Sequence, residues 1–544
     1  MKKLLLSLAI ISLLACNDDS KKLAKSDVTQ DTTEVKDFRE FKVSDSKVID
    51  VDSLWSPFKS ELASFSENRY SELLPLILEQ DIPTIQKSVY AGTFSYEELV
   101  LFYLKRIQKY DRENGLSLNS VISLNPKVLE EARKRDQGLK NKMLKHPIFG
   151  IPVLLKDNIN TADMPTTAGA VVLKNNTTED AFIVQRLKNN GAIILGKANL
   201  SEWAYFFCGE CPSGYSAVGG QTFNPYGRRT LDTGGSSSGS AVSVAANFAP
   251  VAVGSETAGS ILSPASQNSL VGLKPTIGVL SRGGIVPISS YLDTPGPITK
   301  NVTDNAILFS AMSGRDNEDP ASVANKNTAS KTYEQIEVVS LKGKRFGAIK
   351  SLMEDSLYVK ALQDLKTAGA EIVEFEAEEL DLPNFTRFLN IEMKRDLPVY
   401  LKKYGNKDLS VKGVNDVINY NKQDTTVRSP YGQKLFDGIV ADSATSEEFA
   451  AIQDTLTKNG KQFFEVPMQK LNLDGVLSIN NYHAGYAAVA KYPAITVPMG
   501  YGDNNAPKGL TFIARPYQEA NLYTWAMAYE NASKKRVSPS NYKK

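Results

Sequence analysis

Between residues 150 and 261 the chain alternates short apolar runs with helical segments, and that alternation leaves few architectures open. Residues 151–155, 192–195 and 250–253 are continuous apolar runs of strand length. They lack the polar alternation of a strand that faces water on one side, so they read as strands buried on both faces. Residues 181–190 between them read as a helix closed by Gly191, and residues 241–247 as a helix of small side chains. Buried strands joined through helices predict an α/β fold: a mixed, mainly parallel sheet covered by helices on both faces. In front of this core, Ser95-Tyr96-Glu97-Glu98 reads as a capping box opening a helix whose Leu99, Tyr103 and Ile107 share one face. Asn125-Pro126 opens a second helix, with Leu129 and Ala132 inward. Residues 310–470 are more charged and read mainly as helices, with one strand–helix–strand unit over 346–375. They are expected to form an insertion or cap, before residues 474–479 return to strand character and 521–532 close the chain as a helix.

The N-terminus has its own signature. Lys2 and Lys3 precede an apolar run from Leu4 to Leu14, broken only by Ser7 and Ser12. A helix of that length rises about 16 Å, too short to cross a hydrocarbon core of about 30 Å. Residues 1–15 therefore read as a signal peptide. The run ends in Leu13-Leu14-Ala15-Cys16, which resembles the bacterial lipobox and implies cleavage before Cys16 and lipidation of that cysteine. A plain signal peptide cut elsewhere is the alternative. Residues 17 to about 50 are polar with few aromatics, and 16–67 is expected to be a flexible tether ahead of a domain over 68–540. Acidic Asp18 and Asp19 follow the cysteine, as in some surface-exposed lipoproteins.

Three segments carry chemistry. Lys156 directly follows a buried strand and so falls at its carboxyl end, where open α/β sheets place ligands; an ordinary surface lysine is the plainer reading. Gly234-Gly235-Ser236-Ser237-Ser238-Gly239-Ser240-Ala241 would pass for a flexible linker if a buried helix and strand did not follow at once. At a helix N-terminus such a run presents backbone N–H groups to an anion or a polarised carbonyl. Gly254-Ser255-Glu256-Thr257-Ala258-Gly259-Ser260-Ile261 follows the third strand, with small residues that let the main chain approach a ligand.

In this order, and with Ser236 and Ser260 24 positions apart, these segments resemble the amidase signature family. The likeness runs from about residue 68 to 535. It includes Thr166-Thr167-Ala168-Gly169, Gly219-Gly220-Gln221-Thr222-Phe223-Asn224-Pro225-Tyr226 and Val271-Gly272-Leu273-Lys274-Pro275-Thr276. It continues in Asp293-Thr294-Pro295-Gly296-Pro297 and Tyr492-Pro493-Ala494-Ile495-Thr496-Val497-Pro498, and is closest in motif to the peptide amidase branch. The resemblance implies that Ser260 attacks an amide carbonyl while Ser236, after a cis peptide bond from Gly235, relays a proton to Lys156. It also implies that the backbone N–H groups of Thr257, Ala258, Gly259 and Ser260 hold the oxyanion. Lys156 must then be neutral. Bringing a lysine from about 10.4 to about 7 requires the surroundings to disfavour the ammonium by about 4 kcal/mol. Asp157 is its neighbour in sequence, but alternation along a strand turns the two side chains apart. Ala258, Leu262, Ser263 and Ala170 depart from common family residues and leave the substrate preference open.

Other classes fare worse. A net charge of +2, from 63 basic and 61 acidic residues, gives no basic excess for a nucleic-acid partner. His146 and His483 are the only histidines, too few to supply a zinc site, and no cofactor is implied. Cys208 and Cys211 read as a local disulfide in an oxidising compartment, as free thiols, or as a redox or metal pair. The expectation is an exported lipoprotein of the bacterial cell envelope, anchored to a membrane and acting on a small-molecule or peptide amide. The alternatives are a transamidase resembling the catalytic component of glutamyl-tRNA amidotransferase, which export disfavours, and a non-catalytic surface-binding lipoprotein.

Overall fold

The apolar runs become strands of one eleven-stranded sheet. The structure, a computed structural model, describes residues 41–112, 114–141, 146–322, 333–334 and 340–544. In chain order the strands are β1 (Val121–Leu124), β2 (Pro152–Lys156), β3 (Ile193–Ala198), β4 (Tyr215–Ser216), β5 (Gly220–Gln221), β6 (Val251–Glu256), β7 (Val271–Lys274), β8 (Thr294–Thr299), β9 (Arg345–Ile349), β10 (Glu371–Phe375), β11 (Gly475–Ile479), β12 (Ala494–Tyr501) and β13 (Pro507–Ile513). Across the sheet they run β1–β3–β2–β6–β8–β7–β12–β13–β11–β9–β10, with β4 and β5 paired separately.

Parallel pairing falls in two blocks. β3, β2 and β6 run together, as do β11, β9 and β10. The remaining joins, from β6 through β8, β7, β12 and β13 to β11 and from β3 to β1, are antiparallel. The sheet is mixed, and the expected parallel character is concentrated at these two places, each containing one helical crossover. Helices Phe182–Asn189 and Ser356–Thr367 lie between β2 and β3 and between β9 and β10, long enough for parallel crossovers. β12 and β13 are joined by a short turn that permits only an antiparallel pair.

The parallel block β3–β2–β6 positions the site. Every residue of β2, β3 and β6 is buried, as is every residue of the helix Ser238–Ala245 that packs against them. The capping box at Ser95 forms, and Leu99, Tyr103 and Ile107 are buried below it. The strand–helix–strand unit of the expected insertion is no separate body, since β9 and β10 complete one edge of the main sheet. The helices Phe385–Tyr404, Val414–Lys422, Lys434–Ala441 and Ser446–Lys470 do form a layer of their own, with an apolar cluster that includes Trp203, Phe207 and Phe436. Cys208 and Cys211 are buried in the same cluster and joined by a disulfide.

The tether expected to reach residue 67 is corrected by the structure. From residue 41 the described chain packs on the domain: Ser46 Oγ donates to the Val218 carbonyl at 2.5 Å and Gln221 N–H to the Ser44 carbonyl at 2.9 Å. Helices Val51–Trp55 and Lys59–Ser64 follow, and Trp55, Phe58, Leu62 and Phe65 are buried. The polar average of this stretch concealed a few widely spaced aromatic residues, and those suffice to dock it. The signal peptide and Cys16 lie outside the described residues. Phe58→Ala, which empties a site only 1% exposed, should cost about 3 kcal/mol or more. Chemical denaturation beside wild type measures it, and a loss below about 1 kcal/mol would mean the segment is peripheral.

Candidate active site

Lys156 ends β2, and its side chain is fully buried. Nζ lies 2.8 Å from Ser236 Oγ and 2.9 Å from both the carbonyl oxygen and Oγ of Ser255. No carboxylate forms an ion pair with it among the described residues. Burial brings its pKa down from 10.5 to about 7, against the opposing pull of the Asp293 and Glu256 carboxylates. Asp157 faces elsewhere, as strand alternation predicts. Its carboxylate pairs with Lys197 Nζ at 2.9 Å, both side chains fully buried, and accepts a hydrogen bond from Thr167 N–H at 3.1 Å.

The serine-rich run is not a linker. The helix begins at Ser238, three residues ahead of the apolar signal, and the preceding turn is clamped to the end of β6. Ser237 N–H donates to the Ser260 carbonyl at 3.2 Å; Ser237 Oγ donates to the Ser255 carbonyl at 3.0 Å and accepts from Ser255 N–H at 3.2 Å. The Gly235–Ser236 peptide bond is cis. Ser236 is fully buried, and its carbonyl accepts from Ser201 N–H at 3.0 Å. A Cβ on Gly235 would lie 2.6 Å from Ser201 Oγ, so a larger residue there would have to displace that hydroxyl. Lys156 and Ser236 are thus in direct contact, and residue 260 is stitched to the same turn with its side chain partly exposed.

The turn from β6 to Ser260 is organised by a residue the sequence reading left without a role. The Glu256 carboxylate accepts from the N–H groups of Gly259 at 2.7 Å, Ile261 at 2.7 Å and Leu262 at 3.0 Å. This corrects the expected oxyanion site, because the Gly259 amide is already taken. Gly259 instead supplies left-handed backbone, at φ 93°, that lets the chain fold over the carboxylate. The N–H groups of Thr257, Ala258 and Ser260 donate to no protein acceptor among the described residues. Thr257 is fixed from the other side: its hydroxyl donates to Asp293 Oδ1 at 2.5 Å, while Asp293 Oδ2 accepts from Ile288 N–H at 2.8 Å and Ser289 N–H at 3.0 Å. Burial pushes Asp293 up to about 6.

A cavity of about 170 Å³ opens beside these groups, lined by Asn158, Ser255 and Thr257 together with Arg282, Asp396 and Tyr404. Its wall comes partly from the helix Phe385–Tyr404, within the segment expected to form an insertion or cap. Both histidines lie elsewhere. His483 Nδ1 is 2.6 Å from Ser478 Oγ and its ring stacks on Phe463, while His146 Nε2 is 3.2 Å from Ser310 Oγ. Burial lowers each to about 4, and neither bonds to Lys156, Ser236 or Ser260. Sequence reasoning passed over Asn158, Ser255, Glu256 and Asp293, although their polar side chains at or just beyond the ends of apolar strands were a usable signal.

The family described as Amidase matches this chain over residues 98–431. The chain is 36% identical over 485 residues to a probable amidase of Arabidopsis thaliana, covering 85% of this chain and 92% of that protein. It is 30% identical over 506 residues to a glutamyl-tRNA(Gln) amidotransferase component of Exiguobacterium sibiricum, covering 84% of this chain and 98% of that one. Among solved structures it is similar to an amidase family protein from Bacillus anthracis, with TM-score 0.87, 38% identity and 92% and 99% of the two chains covered. It is also similar to the native peptide amidase from Stenotrophomonas maltophilia, with TM-score 0.80, 36% identity and 85% and 99% covered.

Proposed function

This chain belongs to the amidase family and hydrolyses carboxamide C–N bonds, and we propose that it does so through Ser260, Ser236 and Lys156, with a peptide C-terminal amide as its substrate. The observation that carries the proposal is the 2.8 Å contact between Ser236 Oγ and a buried lysine amine that no carboxylate among the described residues claims.

A neutral amine has two N–H groups and one lone pair. The Ser255 carbonyl can only accept, so it takes one N–H. Ser255 Oγ takes the other, which leaves the lone pair for the Ser236 hydroxyl. Ser236 then gives its proton to Lys156 and takes one from Ser260 as Ser260 Oγ attacks the amide carbon. The carbonyl electrons move to oxygen, where the N–H groups of Thr257, Ala258 and Ser260 receive the charge. Collapse expels the nitrogen, which takes the proton back along the same path and leaves as ammonia or an amine. Water repeats the sequence on the acyl-enzyme, releasing the acid and restoring the Ser260 hydroxyl.

The peptide amide reading is supported by the likeness to the Stenotrophomonas maltophilia peptide amidase and by a cavity of about 170 Å³ beside the serine turn. The amidotransferase relatives share the core. The same proton path serves both, so the acceptor of the acyl group separates the two readings. We also propose export and lipid attachment at Cys16. What supports this is Leu13-Leu14-Ala15-Cys16 after a short basic and apolar run, together with a disulfide suited to an oxidising compartment.

Ser260→Ala should abolish ammonia release from a peptide amide while leaving the fold intact by circular dichroism, and wild-type turnover in that variant would refute the assignment. In the wild type, kcat/KM should rise with pH about a midpoint near 7, since below it the protonated lysine cannot receive a proton. A profile flat from pH 5 to 9 would remove Lys156 as the base. In a bacterial host, labelled fatty acid should enter the wild-type chain and not Cys16→Ala; no label on the wild type, or label retained by the variant, would overturn the anchor.

A further inference from the structure

The cavity wall holds an acceptor that the protein leaves unused. Asn158 lines the cavity and is 2% exposed, and its Oδ1 is buried without a hydrogen-bond partner among the described residues. A buried polar atom is ordinarily satisfied, so an orphan in a cavity wall points to a donor on the ligand. Its orientation is set by the other end of the carboxamide. Nδ2 donates to Ser255 Oγ at 2.9 Å and reaches the Val286 carbonyl at 3.4 Å. Exchanging the two ends would turn Oδ1 toward that carbonyl and bring two acceptors together. The backbone is pinned as well, with Val286 N–H donating to the Asn158 carbonyl at 2.8 Å.

Thr257 lines the same cavity, and its N–H donates to no acceptor among the described residues. One donor and one acceptor lining the same cavity match the two ends of a carboxamide, its carbonyl oxygen and its N–H. Resting on the amidase reading above, we propose that Asn158 Oδ1 accepts a hydrogen bond from the N–H of the scissile amide. Asn158 then makes the site selective for amides that carry at least one hydrogen on the nitrogen. As the C–N bond breaks, that nitrogen is protonated and its remaining hydrogens become charge-assisted donors. The bond strengthens toward the transition state and favours kcat over ground-state binding. An ester leaving group has no such hydrogen and gains nothing from Oδ1.

The experiment compares kcat/KM for the primary amide and the methyl ester of one acyl group that the wild type hydrolyses. The ratio is taken within each preparation, so the folded fraction cancels. In Asn158→Leu the amide-to-ester ratio should fall about 10–100-fold, mostly in kcat. Asn158→Asp, which keeps an acceptor, should retain the wild-type ratio even if both rates drop. Equal losses on amide and ester in Asn158→Leu, or a collapsed ratio in Asn158→Asp, overturn the inference while leaving the amidase reading intact. A wild type that hydrolyses no amide in a panel of peptide, amino-acid and aliphatic amides overturns both.

Discussion

The proposed amidase site depends on one amine held out of water. Lys156 has three oxygen neighbours, at 2.8, 2.9 and 2.9 Å, and none belongs to a carboxylate. An ammonium in that place would lose its hydration without gaining a counter-charge, so the neutral form is favoured. Everything that makes the surroundings dry contributes: β2 and β6 buried along their whole length, the helix Ser238–Ala245 buried on every side, and the serine turn packed over the end of β6.

Keeping acidic groups occupied is the second requirement. Three carboxylates stand near the lysine in sequence or space, and each has other work. Asp157 pairs with Lys197, Glu256 gathers three amides of its own turn, and Asp293 holds two amides and the Thr257 hydroxyl. Had any of them swung onto Nζ, the ion pair would have raised the lysine pKa and removed the base. Of the three, Asp293 also lines the cavity. Charge control and geometry are here one set of hydrogen bonds.

Much of this was legible beforehand. Residues 151–155 and 192–195 announce buried strands because nothing polar interrupts them, and Lys156 at the end of one is conspicuous for that reason. The two glycine–serine segments were readable as site elements only because a buried helix and strand follow them. Other features could not be read. Whether Glu256 faces solvent or folds back on the amides of Gly259, Ile261 and Leu262 depends on the turn around Gly259, which the sequence does not specify. The packing of residues 41–67 rests on Trp55, Phe58 and Leu62 finding pockets made by distant segments, and a polar local composition hides that. Antiparallel pairing in the middle of the sheet joins strands far apart in sequence, such as β7 with β12 and β6 with β8, and local apolar runs do not reveal which strands become neighbours.

The protonation state of Lys156 can be observed directly. In protein carrying ¹³C-labelled lysine, its Cε resonance is identified by its disappearance in Lys156→Met and followed with pH. The account predicts a transition near 7, with the amine neutral well below the pH at which surface lysines titrate. A transition at the ordinary 10.5 would contradict it, since an ammonium in that position has no lone pair to offer Ser236.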